Sequence, residues 1–190
     1  MHLLVTRPTH QAQKTIQALK ALGHTSIEQP LLTVEAVQSR APEGPFKAAI
    51  LTSANAIPAL QKLWADTPAA LYPILATGRE TRRAAAAAGF ANVHSADGSA
   101  RDLVTQYPTF AEEFGLATSD PVLYPCAENT AHDLPALLHN QARCLPWPVY
   151  RAEEVDGFTE QVRQQLISGR IEAVLLYSRR TADNFVRLMN

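Results

Sequence analysis

The sequence is poor in the features that mark cofactor chemistry. Its two cysteines, Cys126 and Cys144, belong to no Cys-x-x-Cys pair, so they build neither a disulfide framework nor a zinc site. Six histidines are scattered along the chain; His132 and His139 can share one helix face, but no third ligand accompanies them. There is no Gly-x-x-x-x-Gly-Lys-Ser/Thr phosphate loop, no Gly-x-Gly-x-x-Gly fingerprint and no Gly-x-Ser-x-Gly elbow. Nor do aspartates cluster at strand ends, which a Mg²⁺-dependent phosphoacceptor would require. No apolar run approaches the roughly 18 residues of a membrane span, and no charged segment leads into a signal-like stretch. A net charge of −1 gives no general attraction for nucleic acid or an anionic membrane. The expectation is a soluble, cytoplasmic monomer with no nucleic-acid or membrane partner.

What the chain does have is alternation. It is 46% apolar and only 18% charged over 190 residues, enough to bury the core of one large or two small domains. The stretch 48–63 opens as a short apolar strand, ends on Thr52-Ser53 and turns at once into an amphipathic helix. Residues 173–188 repeat this device, with Ser178 standing where Ser53 stands and Leu188 where Leu63 stands. Between and around them, strands are expected at 2–6, 25–29, 74–77, near Val93 and at 121–124. Helices are expected at 11–22, 84–88, around Leu103-Val104, after Asn129 and at 158–167. Asn55 is expected to cap the helix of the opening stretch, with Pro58 in its first turn, and Asn129 to cap a later one. Residues 108–119 read as a looser connector. Pro-marked extended passages occupy 30–37 and 143–155, and 40–45 reads as a linker. Strictly alternating strands and helices imply parallel sheets with right-handed crossovers.

Ligands of open α/β sheets bind beyond the carboxyl ends of the strands. Those ends are alike here: Thr6-Arg7, Thr52-Ser53, Thr77-Gly78-Arg79 with Thr81, and Ser178-Arg179-Arg180-Thr181. They are hydroxyls, one glycine and arginines, each leading into a helix N-terminus, where free N–H groups favour an anion. A hydroxyl before a helix is also an ordinary cap, and arginines on a helix face are also ordinary solvated charge. Taken together, the four turns suit a polycarboxylate.

The ordered set of motifs resembles the uroporphyrinogen-III synthase family. The matching segments are Leu-Leu-Val-Thr-Arg-Pro at 3–8, Leu-Thr-Ser-Ala-Asn-Ala at 51–56, Gly-Arg-Glu-Thr at 78–81, Asp-Gly-Ser-Ala-Arg-Asp-Leu at 97–103, Val-Tyr-Arg at 149–151 and Leu-Tyr-Ser-Arg-Arg-Thr at 176–181. The resemblance implies two flavodoxin-like parallel-sheet α/β domains around an active cleft, joined by two extended connectors at 33–37 and 148–153. One domain would be discontinuous, 1–32 plus 154–190, and incomplete at its C-terminus; the other would be inserted at 38–147. It also implies a lyase, free of metal and cofactor, that closes linear hydroxymethylbilane into uroporphyrinogen III with inversion of ring D. The substrate carries eight carboxylates. Tyr150 matches the family's tyrosine and would be catalytic, as a proton donor to the departing hydroxyl. Ser53 and Thr81 match polar residues lining the cleft; Arg7, Thr77, Gly78, Ser178, Arg179 and Thr181 would be further substrate-binding groups. Residues 124–128, Tyr-Pro-Cys-Ala-Glu, depart from the family's frequent Arg-Gly-type turn. A non-catalytic tetrapyrrole-binding or regulatory module on the same scaffold is the alternative.

Overall fold

A computed structural model describes residues 1–65 and 72–190. The chain divides into two compact units, Met1–Glu35 with Ala152–Asn190, and Ala36–Arg151. It passes from one to the other within a short strand and again within a long one, so residues 33–37 and 148–153 are largely strand.

In the discontinuous unit, β1 (His2–Val5) is flanked in parallel by β2 (Thr25–Glu28) and by β9 (Ala173–Leu175). Leu4 and Val5 are fully buried in its core. Helix α1 (Thr9–Ala21) starts directly behind Pro8, whose fixed φ suits that position, two residues earlier than the periodicity predicts. Helix α6 (Glu160–Ile167) is capped by Thr159, and α7 (Arg179–Met189) by Ser178. The buried Asn184 of α7 donates its amide to the carbonyl of Leu31 at 2.8 Å, and also to that of Val155. A buried amide must be paired, and here the pairing pins the helix to two chain segments distant in sequence.

The other unit is built on β4 (Ala48–Leu51), β5 (Ile74–Ala76), β6 (Val93–Ser95), β7 (Pro121–Ala127) and β8 (Arg143–Glu154), with β3 (Leu32–Ala36) paired outside β8. Read across the sheet, the order is β3-β8-β7-β4-β5-β6, and the pairs from β8 to β6 are parallel. Numbering β4 to β8 as one to five gives 3-2-1-4-5. A flavodoxin-like sheet has 2-1-3-4-5, so for this unit that expectation is corrected: the chain winds outward through β5 and β6 before returning to the far side of β4. The direction of winding reverses between β4 and β7. That is where an open α/β sheet leaves a crevice.

Four local expectations also change. After β4 a 3₁₀ turn (Ala54–Ala56) precedes α2 (Ile57–Leu63), and its cap is Ser53, which accepts the Asn55 N–H at 3.2 Å; Asn55 itself caps nothing. Helix α3 spans Arg79–Ala87 from an N-cap at Gly78, so Thr81 lies inside it. Helix α4 (Ala100–Glu113) runs straight through Pro108, where a connector is expected. An interior proline removes one hydrogen bond and crowds the previous turn. Here Leu103, Tyr107 and Phe110 lie buried on one face and extend the helix by packing. Finally Asp133, not Asn129, caps the single turn of α5 (Leu134–Leu137), accepting the Ala136 N–H at 3.1 Å.

Candidate active site

The strand ends of the 36–151 unit surround a cavity of about 340 Å³ at the β4/β7 reversal. Thr52 follows β4, Thr77 follows β5, Tyr124 lies on β7 and Tyr150 on β8, and all four line it. Its rim is completed by Ser99 and by the loop after β7, which contributes Asn129, Thr130 and His132.

Alternation along the strands explains the two phenols. Val122, Tyr124 and Cys126 point to one face of β7, into the same core cluster as Leu103, Tyr107 and Phe110. A tyrosine in the middle of such a strand buries its ring and needs a partner for its hydroxyl. The Tyr124 hydroxyl lies 3.3 Å from that of Thr52. Thr77 in turn donates its hydroxyl to the Thr52 carbonyl at 3.3 Å, so β7 and the ends of β4 and β5 are tied by one short polar chain. Tyr150 is buried and hydrogen-bonded to the side chain of Ser53.

Burial controls the protonation of both tyrosines. Desolvation pushes Tyr124 up to about 12, against a smaller opposing effect of the Thr52 hydrogen bond. Desolvation also raises Tyr150, and the Ser53 hydrogen bond acts in the opposite direction. Both are therefore neutral phenols at physiological pH, able to donate. The carboxylates around the cavity are already engaged. Asp102 accepts both the N–H and the hydroxyl of Ser99, each at 2.6 Å, and these hydrogen bonds hold its carboxyl below the usual range. Asp97 is held low chiefly by its Ser95 hydrogen bond and by Arg79, whose Nε lies at 2.9 Å. Glu128, just past β7, is held low by Arg151 at 2.8 Å. Acidic groups tied up in this way leave the hydroxyls and amides of the cavity to face an anion.

The other expected residues are placed as follows. Gly78 starts α3, and a Cβ there would meet nothing within 4 Å; Thr81 is buried in the first turn of that helix; neither lines the cavity. In the discontinuous unit Thr6 donates its hydroxyl to the Leu175 carbonyl at 2.6 Å, and the Arg7 guanidinium stacks over the Tyr177 ring at 4.6 Å. Ser178 accepts the Thr181 N–H at 3.1 Å, and the two hydroxyls lie 2.8 Å apart, with Thr181 buried. Arg179 is exposed and forms an i,i+4 ion pair with Asp183 at 3.6 Å. Of the expected site residues Thr77 and Tyr150 line the cavity, Tyr150 from β8 where a connector was expected, while Tyr124, Thr130 and His132 were not foreseen. Tyr124 read as plain strand and Asn129 as a cap. The one available signal was a tyrosine among small apolar residues at a strand end, whose hydroxyl has to be met somewhere.

Comparison with known proteins agrees with this architecture. No curated protein sequence matches the chain. Among solved structures, a mutant uroporphyrinogen III synthase from the extremely thermophilic bacterium Thermus thermophilus superposes with a TM-score of 0.60 at 16% identity, over 97% of this chain and 75% of that one. A uroporphyrinogen-III synthetase from Helicobacter pylori 26695 gives the same TM-score and identity, over 100% of this chain and 79% of that one. At such identity these likenesses speak for the fold: mixed α/β with parallel sheets. The family itself is given by the model described as uroporphyrinogen-III synthase HemD, which matches residues 13–190. The motifs, the parallel α/β fold and a match over nearly the whole chain agree, and the chain belongs to the uroporphyrinogen-III synthase family.

Proposed function

We propose that the cavity of the 36–151 unit is where this chain runs the family's reaction, with Tyr150 as its proton donor. The family function is closure of linear hydroxymethylbilane to uroporphyrinogen III, with inversion of ring D and loss of one water, in tetrapyrrole biosynthesis. The observation that supports this reading is a buried, protonated phenol, held by Ser53, in a cavity whose other polar groups are hydroxyls, one amide and one imidazole.

The chemistry asks little of the protein at the bond-breaking step. A pyrrole nitrogen lone pair expels the substituent on the hydroxymethyl carbon, and the hydroxyl leaves as water once it receives a proton. Tyr150 supplies that proton. Ring D then attacks the exposed carbon through its substituted position, and the bond from that position to the methylene of ring C breaks. The freed methylene is captured by the unsubstituted α-carbon of ring D, and the proton lost from that carbon returns to the phenolate. Donor, water and ring protons balance, and the tyrosine ends as it began.

The larger contribution is positioning, because the free bilane closes spontaneously without inversion. Holding a flexible chain so that the substituted carbon is the near one is an entropic task. Thr52, Thr77 and the Asn129–Thr130 segment suit the carboxylates of one pyrrole unit, for which the cavity has room. In the discontinuous unit, Arg7, Ser178, Arg179 and Thr181 serve as further carboxylate donors, and Gly78 and Thr81 support the turn that presents Thr77.

Incubating the protein with hydroxymethylbilane and separating the product isomers tests this reading. Type III above the uncatalysed background is expected, and Tyr150→Phe should shift the mixture toward type I without unfolding. Wild-type product that is type I alone would favour the tetrapyrrole-binding module, which binds the product and leaves its isomer ratio unchanged.

A further inference from the structure

The cavity rim holds a group that the reaction scheme leaves unused. Among the residues lining the cavity, His132 is the one whose side chain can become a cation; the rest are hydroxyls, phenols, an amide and apolar groups. Among the described residues its imidazole has no hydrogen-bond or ion-pair partner, and neither do the side chains of Asn129 and Thr130 beside it. The loop is held by its backbone and not by these side chains. The Glu128 N–H donates to the Tyr150 carbonyl at 2.9 Å, the Leu134 N–H donates to the His132 carbonyl at 3.1 Å, and Asp133 caps α5. Three adjacent polar side chains thus stand at a cavity rim with nothing of the protein to bind.

We infer that His132, presented by this loop, is a carboxylate-binding residue whose protonation sets the pH dependence of substrate binding. The proposal rests on the reading above, that the cavity takes a polycarboxylate, and adds the group that makes the binding titratable. An imidazole gains its charge within the pH 5–8 window, whereas the acetate and propionate groups of the substrate stay ionised through most of it. The carboxylates and phenols near the rim each have a fixed assignment there. Asp133 caps α5, Asp102 is bound by Ser99, Asp97 by Arg79 and Glu128 by Arg151, while Tyr124 and Tyr150 stay neutral. A carboxylate reaching the rim therefore meets an amide, a hydroxyl and one switchable cation. The imidazolium form makes a charge-assisted hydrogen bond that the neutral ring cannot match.

The test is the pH profile of KM for hydroxymethylbilane between pH 5.5 and 8, after subtraction of spontaneous closure, in wild type, His132→Gln and His132→Arg. Wild-type KM should rise by about tenfold toward pH 8, the size of one charge-assisted hydrogen bond. His132→Gln should show the high value at every pH, and His132→Arg a low, flat value; the change falls on KM. Because the side chain is exposed and unpartnered among the described residues, all three proteins should melt alike. A wild-type pH dependence that survives in His132→Gln, or a wild-type profile that is flat, overturns the role of His132 while leaving the cyclase reading intact. Type I product alone from wild type overturns both.

Discussion

At the scale of single residues, the site turns on how one hydroxyl is shared. Ser53 accepts the Asn55 N–H and thereby caps the 3₁₀ turn, and the same side chain is hydrogen-bonded to Tyr150. Local structure and site orientation therefore depend on one side chain. Tyr150→Phe removes the proton donor and should lower kcat by about 10²-fold, near the lower end of what a positioned acid contributes. Ser53→Ala should lower kcat less, because the phenol remains and loses only its orientation. It should also cost about 1 kcal/mol of stability through the lost cap. If Ser53 acts through Tyr150, the double variant should be no slower than Tyr150→Phe alone. Stopped-time isomer assays on the three proteins measure this, and independent, multiplicative losses would separate the two residues.

At the scale of elements, α4 shows how packing overrides a local rule. Ser99 and Asp102 form a complete capping box at its start, and Ser99 also forms part of the cavity rim. Ser99→Ala should destabilise the protein by about 1 kcal/mol in urea titration. A residue larger than glycine at position 98 would drive its Cβ into the Asp102 carboxylate, so Gly98→Ala should break the same box and lower the midpoint further. Pro108 acts in the opposite sense. It leaves one carbonyl of the previous turn without its N–H, and the buried faces of Tyr107 and Phe110 hold the helix regardless. Pro108→Ala should therefore raise stability by about 1 kcal/mol or more. An unchanged midpoint would mean that the surroundings have fully adapted to the proline. By the intrinsic preference of proline alone, this helix is expected to stop at Pro108. The apolar spacing of residues 103, 107 and 110 was legible, but its pull depends on a core that only the fold supplies.

At the scale of the whole molecule, the ionisable groups with clearly raised pKa values lie in one unit. Tyr107 and Tyr124 are pushed up to about 12 from 10.0, and Cys144 up to about 12 from 9.0, in each case chiefly by burial. Cys126 and Tyr150 are raised for the same reason. In the unfolded chain these groups release their protons near pH 9 to 10, while the folded state retains them. Above that range the unfolded state binds fewer protons, so stability falls as pH rises. It is constant with respect to these groups below about pH 9 and declines up to about 12. The two tryptophans, Trp64 and Trp147, both belong to the 36–151 unit, so their fluorescence reports that unit. Urea midpoints followed by tryptophan emission should be equal at pH 7 and 8 and lower at pH 10 and 11. A midpoint that holds through pH 11 would contradict the burial of these groups. Among the described residues no helix is long and apolar enough to cross a membrane.

What the sequence determined by itself is the series of elements. Short apolar strands, helical spacing and hydroxyl caps are written within a few neighbouring residues, so β1, β4, β5 and β9 lie close to where the pattern puts them. The parallel character followed from alternation alone. What only the tertiary structure decided is which strands are neighbours. The apolar faces of β4, β5 and β7 are chemically interchangeable, and pairing among them is chosen by the packing of the whole unit. From that choice come the 3-2-1-4-5 order and the reversal between β4 and β7. From it too come the meeting of Tyr124 with Thr52 across 72 positions, and the placing of His132 on the same rim as Tyr150. Residue identity fixes the available chemistry, but a site needs groups from distant segments within hydrogen-bond reach, and only the folded chain provides that.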